Sequence, residues 1–194
     1  MLFKRSGPVE QSITMNPIEL LEQYYDSNSK TYKILVEHGK QVAQKALAAA
    51  QRVPELKPDL EFINTAAMLH DIGIFLTNSP DFGCYGKHPY ICHGILGGEL
   101  LKKKGHPELA LVCERHIGVG IRIADIRHHN LPLPSRDMIP VSIEEQLICY
   151  ADKFFSKNGK SGPAEKSIEK IIGNLKRYGP EKVKRFESWV QLFE

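Results

Sequence analysis

Apolar positions along the chain recur at three- and four-residue intervals, the repeat of a buried helical face. The breaks between these runs fall at proline, glycine or capping residues. Asn16-Pro17 joins a capping side chain to proline at the first helical position and opens a short helix through about Tyr25. Ser29 caps a second helix through about Arg52. Pro54 and Pro58 interrupt the chain, and a third helix carries Leu60 to His70. Gly73 follows where a left-handed residue commonly ends a helix. The Pro, Gly, Asn and Asp of 78–86 mark a loop. A fourth helix covers about Pro89 to Lys104 and stops at Gly105; a fifth runs from Pro107 to near Gly118. The stretch 118–140 holds three prolines and no period, and reads as a long surface excursion with at most one helical turn. Ser142 with Glu145 is a capping box opening a sixth helix through about Phe155. After a Gly/Ser/Lys linker at 156–162, two terminal helices follow, near Ala164–Tyr178 and Pro180–Phe193. No strand-length alternation is convincing. The expectation is an all-α bundle of about six to nine helices: an arm at 1–15, a helical domain over 16–157, and C-terminal helices over 158–194 packing on that domain.

Five of the stripes each carry one ionisable residue. They read Leu35, His38, Val42, Ala46, Ala49, then Ile63, Ala66, Ala67, His70. The fourth helix contributes His93, Leu96, Gly97, Leu100, the fifth Leu109, Val112, Cys113, His116, and the sixth Ile148, Asp152, Phe155. A single inward histidine is usually a hydrogen-bonded core residue. Five inward groups, with Asp71 beside His70, are a different matter. A buried carboxylate without a partner costs several kcal/mol or takes up a proton. No Lys or Arg on these stripes opposes Asp71 and Asp152, whereas a divalent cation would neutralise both and accept the imidazole nitrogens. Consecutive helical side chains point about 100° apart, so His70 and Asp71 reach one ion only near a helix end, where the dipole favours a cation. The mixed imidazole and carboxylate shell suits Mn, Fe, Co, Ni or Zn better than Ca, with Mg also compatible.

Composition narrows the class further. A chain of 194 residues, 42% apolar and 25% charged, suits one soluble globular domain and excludes a disordered chain or a collagen-like fibre. No run approaches the ~18 apolar residues of a membrane span, and Met1–Asn16 lacks the apolar stretch of a signal peptide. The expectation is a cytoplasmic protein with no membrane partner. A net charge of +3 is too balanced to suggest nucleic acid as the main partner. Cys84, Cys92, Cys113 and Cys149 form no CxxC pair and read as free thiols.

His38, then His70-Asp71-Ile72-Gly73, then Asp152 resembles the H…HD…D signature of the HD superfamily of metal-dependent phosphohydrolases, in its HDIG form. The dipeptide alone is weak; the ordered set, each part on its own helix, is strong. The likeness runs from about Ser29 to Phe155. The segments HGILGGELL (from His93) and ERHIGVGI (from Glu114) resemble a subset with two extra histidines. Together with IPVSIEEQLICYADKF, the chain is most similar to an uncharacterised group of small stand-alone HD proteins. The GYP signature of diguanylate-specific relatives is missing, so the resemblance does not support cyclic-dinucleotide cleavage.

Carried over position by position, the resemblance implies one ion held by His38, His70, Asp71 and Asp152, with Asp71 bridging to a second ion held by His93 and His116. His70, Asp71 and Asp152 would be the catalytic core, hydrolysing a phosphate ester of a nucleotide or other small phosphorylated metabolite by metal-activated water. Lys87, Arg122 and Lys153 are the candidates for gripping phosphate, and His88 is placed against substrate rather than metal. His106, His128, His129 and the run Lys102–Lys104 read as surface groups. Two other functions fit the same residues: a mixed-valence diiron oxygenase of the HD fold, and a non-catalytic metal-dependent nucleotide sensor. The terminal helices pack on the domain in either a monomer or a homodimer.

Overall fold

Five helices begin on a residue whose side chain accepts a hydrogen bond from a first-turn amide, which satisfies one of the four unpaired donors there. The computed structural model describes residues 15–157 and 165–194. The capped helices are α1 (Pro17–Glu22, capped by Asn16), α2 (Lys30–Ala50, Ser29) and α3 (Leu60–Leu69, Asp59), then α7 (Ile143–Asp152, Ser142) and α8 (Ile168–Leu175, Ser167). Between and after them lie α4 (His93–Lys103), α5 (Pro107–Arg115), α6 (Ile123–His128) and α9 (Pro180–Phe193). The fold is all-α, as the apolar spacing implies. The arm expected at 1–15 lies, apart from Met15, outside the described residues, as does most of the 156–162 linker. Among the described residues no helix is long and apolar enough to cross a membrane.

Helix α2 packs along α3 and α7, while α4 packs on α5 and on the 3₁₀ segment Ile72–Leu76 that follows α3. The inner faces of α2, α3, α5 and α7 are the stripes read above, with Val42, Ala46, Ile63, Ala67, Cys113 and Ile148 fully enclosed. Helix α4 differs. Its buried side is His93, Gly94, Ile95, Gly97, Gly98 and Leu101, and Leu96 and Leu100 stay half-buried. Glycine, with no side chain, sets this face, because backbone meets backbone there. A Cβ on Gly94 would lie 2.4 Å from the Cys113 carbonyl oxygen, and one on Gly73 2.2 Å from that of His93. Gly73 does not take the left-handed conformation expected of a helix stop; it sits inside the 3₁₀ segment as a point of close approach to α4. Gly105 does take that conformation, at φ 87°, where α4 ends.

Two irregular stretches carry more structure than their sequence shows. The loop at 78–86 contains a two-stranded antiparallel ribbon, β1 (Asn78–Ser79) on β2 (Cys84–Tyr85), turned by Gly83 at φ 78°. The stretch 118–140 is not merely a surface excursion. It includes α6, six residues long, and sends Ile121, Ile126 and Met138 inward against Ile95 as a satellite core. Its apolar residues come from segments of different geometry, so no single period could reveal them.

Helix α9 packs on α7, and α8 packs on α9. The Tyr150 ring stacks on Phe186 at 5.6 Å and meets Phe193 edge-on at 5.2 Å. The indole of Trp189 donates to Gln146, and Lys182 donates to the Gly120 carbonyl and pairs with Asp125. Phe186 is wholly enclosed, so Phe186→Ala is expected to destabilise the whole molecule by about 3–5 kcal/mol in urea unfolding, in one transition. A separate early transition for the C-terminal helices would show that they do not share this core.

Candidate metal centre

Helix ends, rather than helix middles, bring most of the ionisable residues together. His70 caps the C-terminus of α3, His116 that of α5, and Asp152 is the last residue of α7. His93 opens α4, Asp71 follows His70, and His38 alone lies within a helix. Three helix C-termini, the negative ends of their dipoles, therefore meet at one buried point, which favours positive charge. All six side chains are buried.

The orientation of the imidazoles is set from behind. His70, His93 and His116 each donate from Nδ1 to the carbonyl three residues earlier: Ala67 at 2.6 Å, Tyr90 at 2.6 Å and Cys113 at 2.8 Å. That leaves every Nε2 aimed at the centre, the backbone-tethered arrangement typical of ligating histidines. Tyr90 also stacks on His93 at 4.5 Å. Behind Asp71, Tyr25 donates to the Ile72 carbonyl at 2.7 Å and accepts from the Phe75 amide, pinning the segment that carries the carboxylate.

Asp71 is the hub. Its Oδ2 lies 3.2 Å from His70 Nε2 and 3.6 Å from His38 Nε2, while its Oδ1 lies 3.2 Å from His93 Nε2 and 3.4 Å from His116 Nε2. The two oxygens thus face two different pairs of imidazoles. His38, His70 and Asp71 form one donor group spaced to share an ion, and Asp71, His93 and His116 form another. Asp152 adjoins the first group, with Oδ1 2.9 Å from His38 Nε2 and 3.6 Å from His70 Nε2. His70 Nε2 and Asp71 Oδ1 are buried with no aligned hydrogen-bond partner, which is where a cation fits. The centre accommodates a divalent metal through these groups.

Protons and lysines bring positive charge to these carboxylates. Burial alone would lower His70, but Asp71 and Asp152 overcome it and lift the imidazole to about 9. Burial lowers His38, and it takes His116 down to about 3, a neutral ring able to act as a ligand. Burial opposes ionisation of Asp71 and Asp152, yet the cations of His70 and Lys157 hold the first well below the carboxylate range, as Lys153 and Lys157 hold the second. Those lysines correct an expectation. No cation lies on the helical stripes, but Lys157 Nζ sits 2.6 Å from Asp71 Oδ2 and Lys153 Nζ 2.7 Å from Asp152 Oδ2. Lys157 was not legible as a site residue, because it stands five positions past Asp152 in what reads as a polar linker.

A cleft opens beside Asp152, lined by Lys153, Lys157 and Lys166 with Asn78, Ser79 and Tyr90 among its other walls. Of the four residues expected to touch substrate, Lys153 lines this cleft and the other three do not. Lys87 and His88 are exposed, the latter held by backbone bonds to Leu76 and Asn78, and Arg122 faces Glu181 at 3.4 Å near the start of α6. The four cysteines are free and buried; Cys113 and Cys149 donate to the Leu69 and His116 carbonyls beneath the centre.

Fold and centre together define an all-helical protein built around a histidine–aspartate cluster able to take metal. The family model described as the HD domain matches residues 35–156, and the chain belongs to that family, whose members are generally metal-dependent hydrolases. It is 34% identical over 144 residues to an uncharacterized protein of Methanocaldococcus jannaschii, covering 72% of this chain and 78% of that one. It is also similar to tRNA (cytidine(56)-2'-O)-methyltransferases. The Thermoplasma volcanium protein is 26% identical over 83% of this chain, and the Picrophilus torridus protein 32% identical over 63%. The matched region spans 41% and 32% of those two proteins, less than half of either. No solved structure matches.

Proposed function

We propose that the protein is a metal-dependent phosphohydrolase that cleaves a phosphate ester of a nucleotide or another small phosphorylated metabolite. The observation that carries this reading is the Asp71 carboxylate, whose two oxygens face separate imidazole pairs beside a cleft bearing three lysines. His38, His70, Asp71 and Asp152 would hold one ion, and Asp71, His93 and His116 a second. A divalent ion there would lower the pKa of water and polarise the phosphoryl oxygens. The chain's own contribution is positioning. The Nδ1 tethers fix the imidazoles, and the enclosed walls exclude bulk water. The lysines of the cleft attract the dianionic group and hold it against Asp152. That concentration of ammonium groups favours an anionic substrate over the neutral one that oxygenase chemistry would also allow.

The test is a screen of nucleotides and phosphate esters with Mn, Fe, Co, Ni, Zn and Mg on protein purified without chelator. Metal-dependent phosphate release from one chemical class is expected. Tight metal binding with no release from any phosphate ester, together with oxygen uptake by the iron-loaded protein, would overturn the reading. His116→Ala is expected to remove one ion and leave the other, because the His38–His70–Asp71 group does not use it. Metal analysis checks this, and a parental stoichiometry would mean that His116 holds no ion.

A further inference from the structure

Lys157 and a metal ion compete for the same oxygen. The ammonium lies 2.6 Å from Asp71 Oδ2, which is also the oxygen facing His38 and His70. Two cations that close in a buried site repel strongly, so metal in that group and the Lys157–Asp71 pair are alternatives. Asp152 has a nearer ammonium in Lys153, at 2.7 Å, whereas the carboxylate that Lys157 touches directly is Asp71, at 2.6 Å. The displaced side chain has somewhere to go. Lys157 also lines the cleft that holds Lys153 and Lys166, and its Nζ already lies 3.4 Å from the Tyr90 hydroxyl on the cleft wall.

We propose that Lys157 is a built-in placeholder for the metal. It neutralises Asp71 in the metal-free protein and, on loading, withdraws into the cleft, where with Lys153 and Lys166 it completes a cationic cradle for the substrate's phosphate. The first half requires only that the centre take a divalent ion; the second rests on the phosphohydrolase reading. A placeholder shares with His70 the balancing of the buried Asp71 carboxylate, and it weakens metal binding by the work of its own removal. The positive charge then moves to where a phosphate needs it, only once the metal is present.

Lys157→Met keeps most of the aliphatic stem and removes the charge. Metal-stripped full-length parent and variant are titrated with zinc. The variant is expected to bind about tenfold more tightly or better, each decade being one ammonium–carboxylate contact of about 1.4 kcal/mol no longer broken. Its metal-free melting temperature should fall by roughly 5–10 °C, the cost of taking one partner from a buried ion pair. Inorganic phosphate should bind the zinc-loaded variant about tenfold more weakly, by the same scale. Unchanged or weaker zinc affinity overturns the placeholder. Should the variant fail to fold, the parent alone decides. Acetylation of Lys157, read by peptide mass, should rise on adding zinc as the ammonium leaves Asp71, and equal labelling overturns the proposal. Zinc bound with unchanged labelling sinks the placeholder and leaves the metal centre standing. Zinc-coupled labelling with phosphate affinity equal to the variant's sinks the cradle. Coupled labelling and phosphate binding without turnover of any ester would instead sink the hydrolase reading alone.

Discussion

Alanine at position 71 is expected to leave the protein without metal in either half of the centre and to lower phosphoester turnover on the order of 10³-fold or more. That figure is several kcal/mol of charge stabilisation at about 1.4 kcal/mol per decade. No other side chain has this reach. The donor groups His38–His70–Asp71 and Asp71–His93–His116 share Asp71 alone, one through Oδ2 and the other through Oδ1. Its removal takes an anionic ligand from both, leaving the second group with imidazoles alone and the first with two imidazoles and Asp152. Asp71→Asn tests whether charge or shape matters, since the amide fills the same space without the negative charge. The same loss of metal is expected there, with the fold retained by circular dichroism. Elemental analysis of protein purified without chelator is the measurement. Parental metal content in either variant would mean that the ion is held elsewhere. The contrast with His116→Ala, which should lose one ion and keep one, separates the hub from the arms.

Much of this centre was legible because it breaks a pattern. His38, His70, His93, His116 and Asp152 occupy stripe positions where a hydrophobe would pack better, and all five are buried as that placement implies. The pattern did not show how they converge. Periodicity identifies a face but not where along its axis a helix stops, so the gathering of His70, His116 and Asp152 at three C-termini emerges only with the tertiary fold. Lys157 was hidden for a different reason. A lysine among Ser, Asn and Gly reads as solvated, and only the return of the chain past α7 brings its ammonium to Asp71. Arg122, Lys87 and His88 show the converse. Nearness in sequence to a ligand put them forward, and none of the three is among the residues that line the cleft beside Asp152. On α4, hydrophobicity pointed to Leu96 and Leu100, whereas the tightest packing belongs to glycines, which carry no hydrophobic signal.

Those glycines lead to the second large effect. Gly73→Ala is expected to destabilise the protein by about 3 kcal/mol or more, at or above the usual range for overpacking. The added methyl carbon would stand 2.2 Å from the His93 carbonyl oxygen and 2.4 Å from the Gly97 amide nitrogen. Both are backbone atoms, so no side chain can rotate aside. Relief requires the Ile72–Leu76 segment and α4 to part, and that separation acts on the centre directly, because Asp71 precedes the segment and His93 opens α4. The His93 and His116 side of the centre should loosen, while His38 and His70, on α2 and α3, keep their places beside Asp71. Folded Gly73→Ala protein is therefore expected to bind one zinc ion with near-parental affinity and the second far more weakly. Gly173→Ala is the control. Gly173 lies in α8, nothing stands within 4 Å of its would-be Cβ, and its backbone is not left-handed. There the same substitution should raise stability by roughly 0.5–1 kcal/mol through helix propensity alone. Urea unfolding and zinc titration of both variants give the comparison. Equal and small effects at the two positions would mean that the contact between Gly73 and α4 does not govern how the two halves of the centre meet.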